Sequence, residues 1–288
     1  MYLTEADVAA LLTPELAYDA VEESFRRLAR GAVDNPPRVR ADVPGGVFAV
    51  MPVVDRELGL AGLKSYAWLA NGTPFLIALF SLEHARVEAV LEAEWLGRVR
   101  TAAASAVAAR HLARPGARTL GVFGCGRQAA SHVVALRAAL PGLERVVVAG
   151  RDAGRTAAFC AEHRCEAGDP SGCDVVVTAT TSKEPVLCGV ALAPGATVLA
   201  VGANDLAQRE LDDAVLARAA FVCTDSVEQA RAEAGDVAGV AELHELQDVV
   251  TGALPGRRSS DEIVVFKSNG LAAWDLAVAS AVAARART

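Results

Sequence analysis

The sequence of 288 residues holds no block of lysine and arginine, and its 28 basic residues are outnumbered by 35 acidic ones, for a net charge of −7. Such a chain offers no basic face for a nucleic-acid backbone or an anionic lipid surface, so neither nucleic acid nor membrane is expected as a partner. A small molecule is expected instead. No uncharged run reaches the ~18 residues that a bilayer span requires, and Met1-Tyr2-Leu3-Thr4 opens no charged-then-apolar leader, so a cytoplasmic location is expected. The six cysteines, Cys125, Cys160, Cys165, Cys173, Cys188 and Cys223, read as free, mostly buried thiols. Cys160, His163, Cys165 and Cys173 lack a recognised ligand spacing, and no metal is expected. Internal repeats and low-complexity linkers are also missing. At 52% apolar the chain is not disordered, and its length suits two domains.

What is present is arranged around Thr119-Leu-Gly-Val-Phe-Gly-Cys-Gly-Arg-Gln-Ala129, an apolar run that ends in a glycine turn and then turns helical. Gly124 permits the turn, Gly126 lets the backbone approach a pyrophosphate, and Ala129 lets helix and strand pack closely. The first helical N–H groups, at Cys125, Arg127 and Gln128, then face the phosphates at a positive helix end. The string alone is weak evidence. Its context is stronger, because residues 132–140 continue helically to Pro141-Gly142 and Arg145 to Ala149 reads as a second buried strand, completing a βαβ unit.

Ahead of this unit, Thr4 can cap a first helix and Pro14 can start a second, whose Leu16, Ala20, Val21, Phe25 and Leu28 recur at helical spacing up to Gly31. Asn35-Pro-Pro-Arg38 is a stiff extended segment that would fix the direction of Arg38, which taken alone reads more readily as a solvated edge charge. Short apolar runs between Gly46 and Phe80, punctuated by glycine and Asn71-Gly72, are written like an antiparallel sheet with hairpins. Lys64 lies inside one run, Leu60 to Trp68, where a lone cation is costly to bury without an anion to meet it. A lysine on the wet face of a strand remains the alternative. Ala102 to Arg110 is a strong helix former with Arg100 and Thr101 expected at its beginning, where a cation runs against the helix dipole and an anion is welcome.

Past the second strand, Gly150 stands where a dinucleotide domain usually carries an acid for the ribose diol, and Arg151 follows it. Arginine suits a 2′-phosphate, so NADP(H) is favoured, with Asp152 keeping NAD(H) possible. Strands expected over Asp174 to Thr180 and Thr197 to Ala203 place Thr178, Thr180, Val201 and Gly202 along the carboxyl edge where ligands lie. Further strands are expected at 220–224 and 262–266, with a closing helix over 270–287. The fold class expected is α/β: a Rossmann-type doubly wound nucleotide domain at 115–270, and an α+β domain at 1–114 with 271–288 returning to it.

Pro37-Arg38, Leu63-Lys64, Arg100-Thr101-Ala102-Ala103, the Gly124-to-Ala129 turn, Thr178-Ala179-Thr180, Val201-Gly202-Ala203-Asn204 with Arg209-Glu210-Leu211, and Phe266-Lys267-Ser268-x-Gly270 resemble, in order, the ornithine cyclodeaminase/μ-crystallin family. The resemblance implies a homodimer, a small amino or imino acid substrate, and a first domain that is the substrate-binding and dimerisation domain. It further implies that Arg38, Lys64 and Arg100 converge on the substrate carboxylate, with Lys64 exchanging a proton at the reacting nitrogen, and that Thr101 and Ser268 join the cofactor site. Cyclodeaminases of the family carry an aspartate where this chain has Asn204, and an amide is no general base. Asp205, one residue along, is a weak substitute.

Three functions follow from these residues and the resemblance. The leading one is an NAD(P)H-dependent reductase of a cyclic imino acid, Δ1-pyrroline-2-carboxylate or Δ1-piperideine-2-carboxylate, or a related amino-acid dehydrogenase. The second is ornithine or lysine cyclodeamination with a retained cofactor. The third is a ligand-binding protein without turnover, which would not require the full set of Arg38, Lys64 and Arg100.

Overall fold

The structure, a computed structural model, describes residues 1–288. The chain divides into two compact units, Met1–Thr101 with Gly270–Thr288, and Ala102–Asn269. The division falls inside the helix Glu94–Leu112, not at Arg114 where the sequence places its boundary. That helix is longer at its start than expected, since the backbone N–H groups of Glu94 and Trp95 are capped by the Glu5 carboxylate. Arg100 and Thr101 are therefore mid-helix, and the dipole argument does not apply to them.

In the first unit, Thr4 forms a capping box with Asp7 at the head of Glu5–Leu11, and Thr13 and Pro14 start Pro14–Ala29. The strands run in the order Tyr2–Leu3, Arg86–Glu92, Phe75–Ser81, Leu60–Leu69, Gly46–Asp55 and Val33–Asp34, with Val39–Val43 also pairing on Gly46–Asp55. All pairs are antiparallel except the first. Alternation sends Ala49, Met51, Val53, Lys64 and Ile77 to the buried face. The closing helix Ala272–Arg285 packs across this face, and Leu276 approaches so closely that a Cβ on Gly62 would lie 2.5 Å from its Cδ1. Trp274, fully buried 5.2 Å from the Phe25 ring, is the largest side chain of this core. Truncating it to alanine should cost about 3–5 kcal/mol.

The second unit is a wholly parallel sheet in the order Glu166–Ala167, Arg145–Ala149, Thr119–Phe123, Val175–Thr178, Thr197–Ala200, Ile263–Lys267, Ala219–Thr224 and His244–Glu245. Successive strands are added to one side of Thr119–Phe123 and then to the other, so the order reverses there, as in a doubly wound fold. The last long strand, Ile263–Lys267, inserts between two earlier ones. It has a strand partner on each edge and is buried on both faces, which accounts for its uninterrupted Ile-Val-Val-Phe. Helices Ala153–His163 and Val227–Glu233 went unread in the sequence, being short, but each has a side-chain cap, Asp152 and Ser226. No helix is long and apolar enough to cross a membrane.

Candidate functional site

Within the first unit the three cations named from sequence stand near one another, and the structure adds an anion to them. Lys64 is buried, with Nζ donating to Asp275 Oδ1 at 3.3 Å, and Arg100 Nε donates to the same oxygen at 2.9 Å. Asp275 is buried on the closing helix, and its other oxygen, Oδ2, has no hydrogen-bond partner. Lys64 Nζ also sits over the Phe75 ring at 5.4 Å, and the Arg100 guanidinium lies 5.7 Å from the Trp274 ring. Burial pushes the Lys64 ammonium down to a pKa of about 8, helped by the Arg100 and Arg38 charges and opposed by Asp275. Arg38 is half-buried and donates from Nη1 to the Tyr66 hydroxyl at 3.0 Å. The stiff segment before it is tied down by Asn35, whose Oδ1 accepts from Ala273 N at 2.8 Å and so caps the helix that carries Asp275.

In the second unit the glycine turn has the form the spacing requires. Gly124 has φ +114°, and a Cβ there would lie 2.5 Å from the Ala179 carbonyl oxygen. Gly126 is the N-cap of Arg127–Ala139, no side chain caps it, and a Cβ built on it meets nothing within 4 Å. A helix start with uncapped N–H groups beside an open glycine fits a dinucleotide's pyrophosphate. Arg127 is exposed there, while the Gln128 carbonyl accepts from His132, a buried imidazole that also bonds Ser105 Oγ at 3.0 Å. Desolvation lowers the His132 pKa to about 4, so the ring is neutral. At the end of the next strand a Cβ on Gly150 would lie 2.6 Å from Thr156 Oγ1 and 2.8 Å from Cys125 Sγ, leaving no room for an acid. Asp152 caps the following helix through Arg155 N at 2.7 Å, and Arg151 is exposed.

The carboxyl ends of Val175–Thr178 and Thr197–Ala200 are clasped by Glu210, a fully buried carboxylate. Its Oε2 accepts from Thr178 Oγ1 at 2.8 Å and Gly202 N at 2.6 Å, and its Oε1 from Thr180 N and Thr180 Oγ1, both at 2.7 Å. Asp236 in turn accepts from Glu210 N and Leu211 N, and pairs at 3.3 Å with Lys267, whose ammonium also donates to the Ala203 carbonyl. Val201 N bonds Thr178 O at 3.0 Å. This network fixes the loop bearing Asn204, which is half-buried, whereas Asp205 is exposed and its Oδ1 accepts from Ala207 N within its own turn. Two hydroxyls assigned to cofactor from sequence have protein partners: Ser268 Oγ donates to Asp225 Oδ2 at 3.1 Å, and Thr101 Oγ1 donates to the Gly97 carbonyl at 2.7 Å.

The sequence profile of the ornithine cyclodeaminase/mu-crystallin family matches residues 1–288. The chain belongs to that family. Among its relatives, the Δ1-pyrroline-2-carboxylate reductase 2 of Burkholderia ambifaria is 35% identical over 94% of this chain and 91% of its own. An archaeal alanine dehydrogenase dimer with bound NAD superposes with a TM-score of 0.92 at 31% identity, covering 100% of this chain and 96% of that one. The Δ1-pyrroline-2-carboxylate reductase of Thermococcus litoralis, solved with NADH and L-proline, also gives 0.92, at 25% identity, over 100% and 97% of the two chains. The α/β fold with a Rossmann-type domain is thus shared with dinucleotide-binding oxidoreductases of this family.

Asp275, Glu210 and Asp236 escaped the sequence reading as site residues. A signal for Asp275 was present: a lysine in an apolar strand calls for a buried anion, and Asp275 is the single acid between Gly270 and Thr288.

Proposed function

We propose that this family member is an NAD(P)H-dependent reductase of an imine adjacent to a carboxylate, of the Δ1-pyrroline-2-carboxylate or Δ1-piperideine-2-carboxylate class, or a closely related amino-acid dehydrogenase. One observation carries the reading: a buried lysine with a pKa of about 8 stands among two arginines and one carboxylate. Arg38 and Arg100 are suited to hold the substrate carboxylate, and Lys64 is poised to give up a proton near neutral pH. When bound, the reduced nicotinamide supplies a hydride to the imine carbon and leaves oxidised. The C=N double bond becomes a C–N single bond, the nitrogen takes a proton from Lys64 Nζ, and the neutral amine of Lys64 recovers one from water. The Cys125, Gly126, Arg127 and Gln128 backbone would hold the pyrophosphate, with Gly202 and Thr180 at the sheet edge nearby.

NADP(H) is favoured because Gly150 excludes the ribose-binding acid, Asp152 is engaged as a helix cap and Arg151 is unencumbered at the surface. Ornithine or lysine cyclodeamination is disfavoured by Asn204, since Asp205 is turned into its own loop. The deciding experiment is NADPH and NADH oxidation with cyclic imino acids, and with 2-oxo acids plus ammonia or methylamine. Absence of turnover with every carbonyl and imine compound would leave ligand binding as the function.

A homodimer is also proposed. The closing helix covers one face of the first unit's sheet, while the other presents Phe48, Val50, Pro52, Leu63, Phe80 and Val87, all incompletely buried. An apolar sheet face of this kind calls for a partner surface, and a second copy supplies one. Sedimentation equilibrium should give twice the 29.8 kDa chain mass.

A further inference from the structure

Asp275 carries the inference. Lys64 is approached by charge from each direction that holds any: Arg100 from the helix Glu94–Leu112, Arg38 from the proline segment, and Asp275 from the closing helix. The strands on either side contribute only uncharged neighbours, Met51 and Ile77, and the Phe75 ring and Gly97, also uncharged, face the ammonium as well. Two guanidinium groups and burial all work against an ammonium ion. One carboxylate works for it. Asp275 Oδ1 is shared between Lys64 and Arg100, and Oδ2 takes no hydrogen bond from any neutral donor that would disperse the charge.

We propose that Asp275 is the positioning residue of the site: it aims the Lys64 ammonium through Oδ1 and keeps it protonated beside two arginines, so that a proton is available for the substrate nitrogen. The proposal rests on the reductase reading only for the destination of that proton. Without Asp275 the cluster would hold three cations and no anion, and the lysine, alone among them in losing its proton readily, would give way. The carboxylate has a second effect of opposite sense, because it offsets one positive charge that would otherwise attract the substrate. Its removal should therefore weaken proton delivery while leaving carboxylate binding intact or tighter.

The sequence makes the test direct, since it has only three lysines: Lys64, the exposed Lys183 and Lys267. In the full-length protein with isotope-labelled lysine, the Lys64 signal is assigned by its loss in Lys64→Met and titrated by NMR. In Asp275→Asn, which keeps an acceptor oxygen and loses the charge, the Lys64 midpoint should fall by about one pH unit or more, the usual effect of removing an adjacent opposite charge. Asp275→Glu should restore it towards the native value, and Asp275→Ser, also neutral, stands in if the asparagine variant does not fold. Imine reduction should lose its alkaline limb at correspondingly lower pH in Asp275→Asn, with KM for the imino acid unchanged or lower below both midpoints. An unmoved Lys64 midpoint in the neutral variants overturns the proposal, as does a moved midpoint with an unmoved alkaline limb. A native protein that reduces no imine at all would sink the reductase reading instead, and the NMR titration would still decide the role of Asp275.

Discussion

Replacing Glu210 by glutamine changes one atom in the clasp at the sheet edge, and its cost can be worked from the four bonds the carboxylate accepts. Whichever oxygen becomes the amide nitrogen, one backbone N–H, of Gly202 or of Thr180, is left facing a donor. The threonine hydroxyls can rotate and accept from the new amide, but a peptide N–H cannot. A buried donor left unsatisfied costs about 1–3 kcal/mol, and the other bonds weaken to neutral strength, for a total of about 2–4 kcal/mol. Deleting a buried ion is sometimes harmless when its partner is also replaced. Here the donors stay. In urea, with a denaturant slope of about 2 kcal/mol per molar, the midpoint should fall by about 1–2 M, measured by far-UV circular dichroism at fixed protein concentration. Glu184→Gln, at an exposed position, is the control and should move the midpoint by less than about 0.25 M. A Glu210→Gln midpoint within the control's range would refute the reasoning that the carboxylate holds this edge together.

Arg151→Asp should lower kcat/KM for NADPH by about ten- to a hundredfold more than for NADH, the worth of one charge-assisted phosphate contact; equal losses with both cofactors would remove Arg151 from the 2′-phosphate. The native chain should release little or no ammonia from ornithine or lysine with oxidised cofactor, and Asn204→Asp should raise only a trace. Robust proline formation from ornithine without net change in nicotinamide absorbance would falsify the reductase assignment. The lowered His132 pKa means that the unfolded chain binds a proton below pH 6.5 that the folded chain refuses until about 4. Its contribution to stability is complete above pH 6.5 and is lost as the pH falls towards 4, by up to about 3 kcal/mol. His132→Gln should therefore show a shallower loss of stability across that window than the native protein, as read from urea midpoints at several pH values.

The parts of the fold that sequence reveals are those with local signals. The glycine turn, the strands on either side of it, the Thr4 and Pro14 helix starts and the hairpin sheet each lie within a window of a few turns or one hairpin. The start of the long helix lies earlier than the sequence predicts because its cap is Glu5, some ninety positions upstream, and no local pattern reveals such a partner. The same distance in sequence hid the heart of the candidate site. Lys64 was suspicious for its apolar surroundings, yet its anion lies 211 residues away in an alanine-rich helix that reads as plain packing. Glu210 stands out in the sequence only through the resemblance, since the four groups it gathers come from two strand ends that sequence does not show to be adjacent. The hydroxyl of Ser268 is a similar case: the resemblance alone points to it, and its bond to Asp225 is decided by a neighbouring strand.

The segment that carries Asp275 also sets the order in which the chain can become itself during synthesis. Ala102–Asn269 is one uninterrupted stretch and can close its parallel sheet as soon as it has emerged. The unit made of Met1–Thr101 and Gly270–Thr288 has no such freedom, because Trp274, Leu276 and Val278 fill its core and Asn35 waits for the backbone of Ala273. At a synthesis rate of about 5–20 residues per second, roughly ten to thirty seconds separate Thr101 from Gly270. Through that interval the early strands, with Lys64 already among them, hold an apolar face without its cover, and a charge without its counterpart. The continuous unit is thus complete before the split one can be, and Lys64 acquires its setting only once the segment carrying Asp275 has been made.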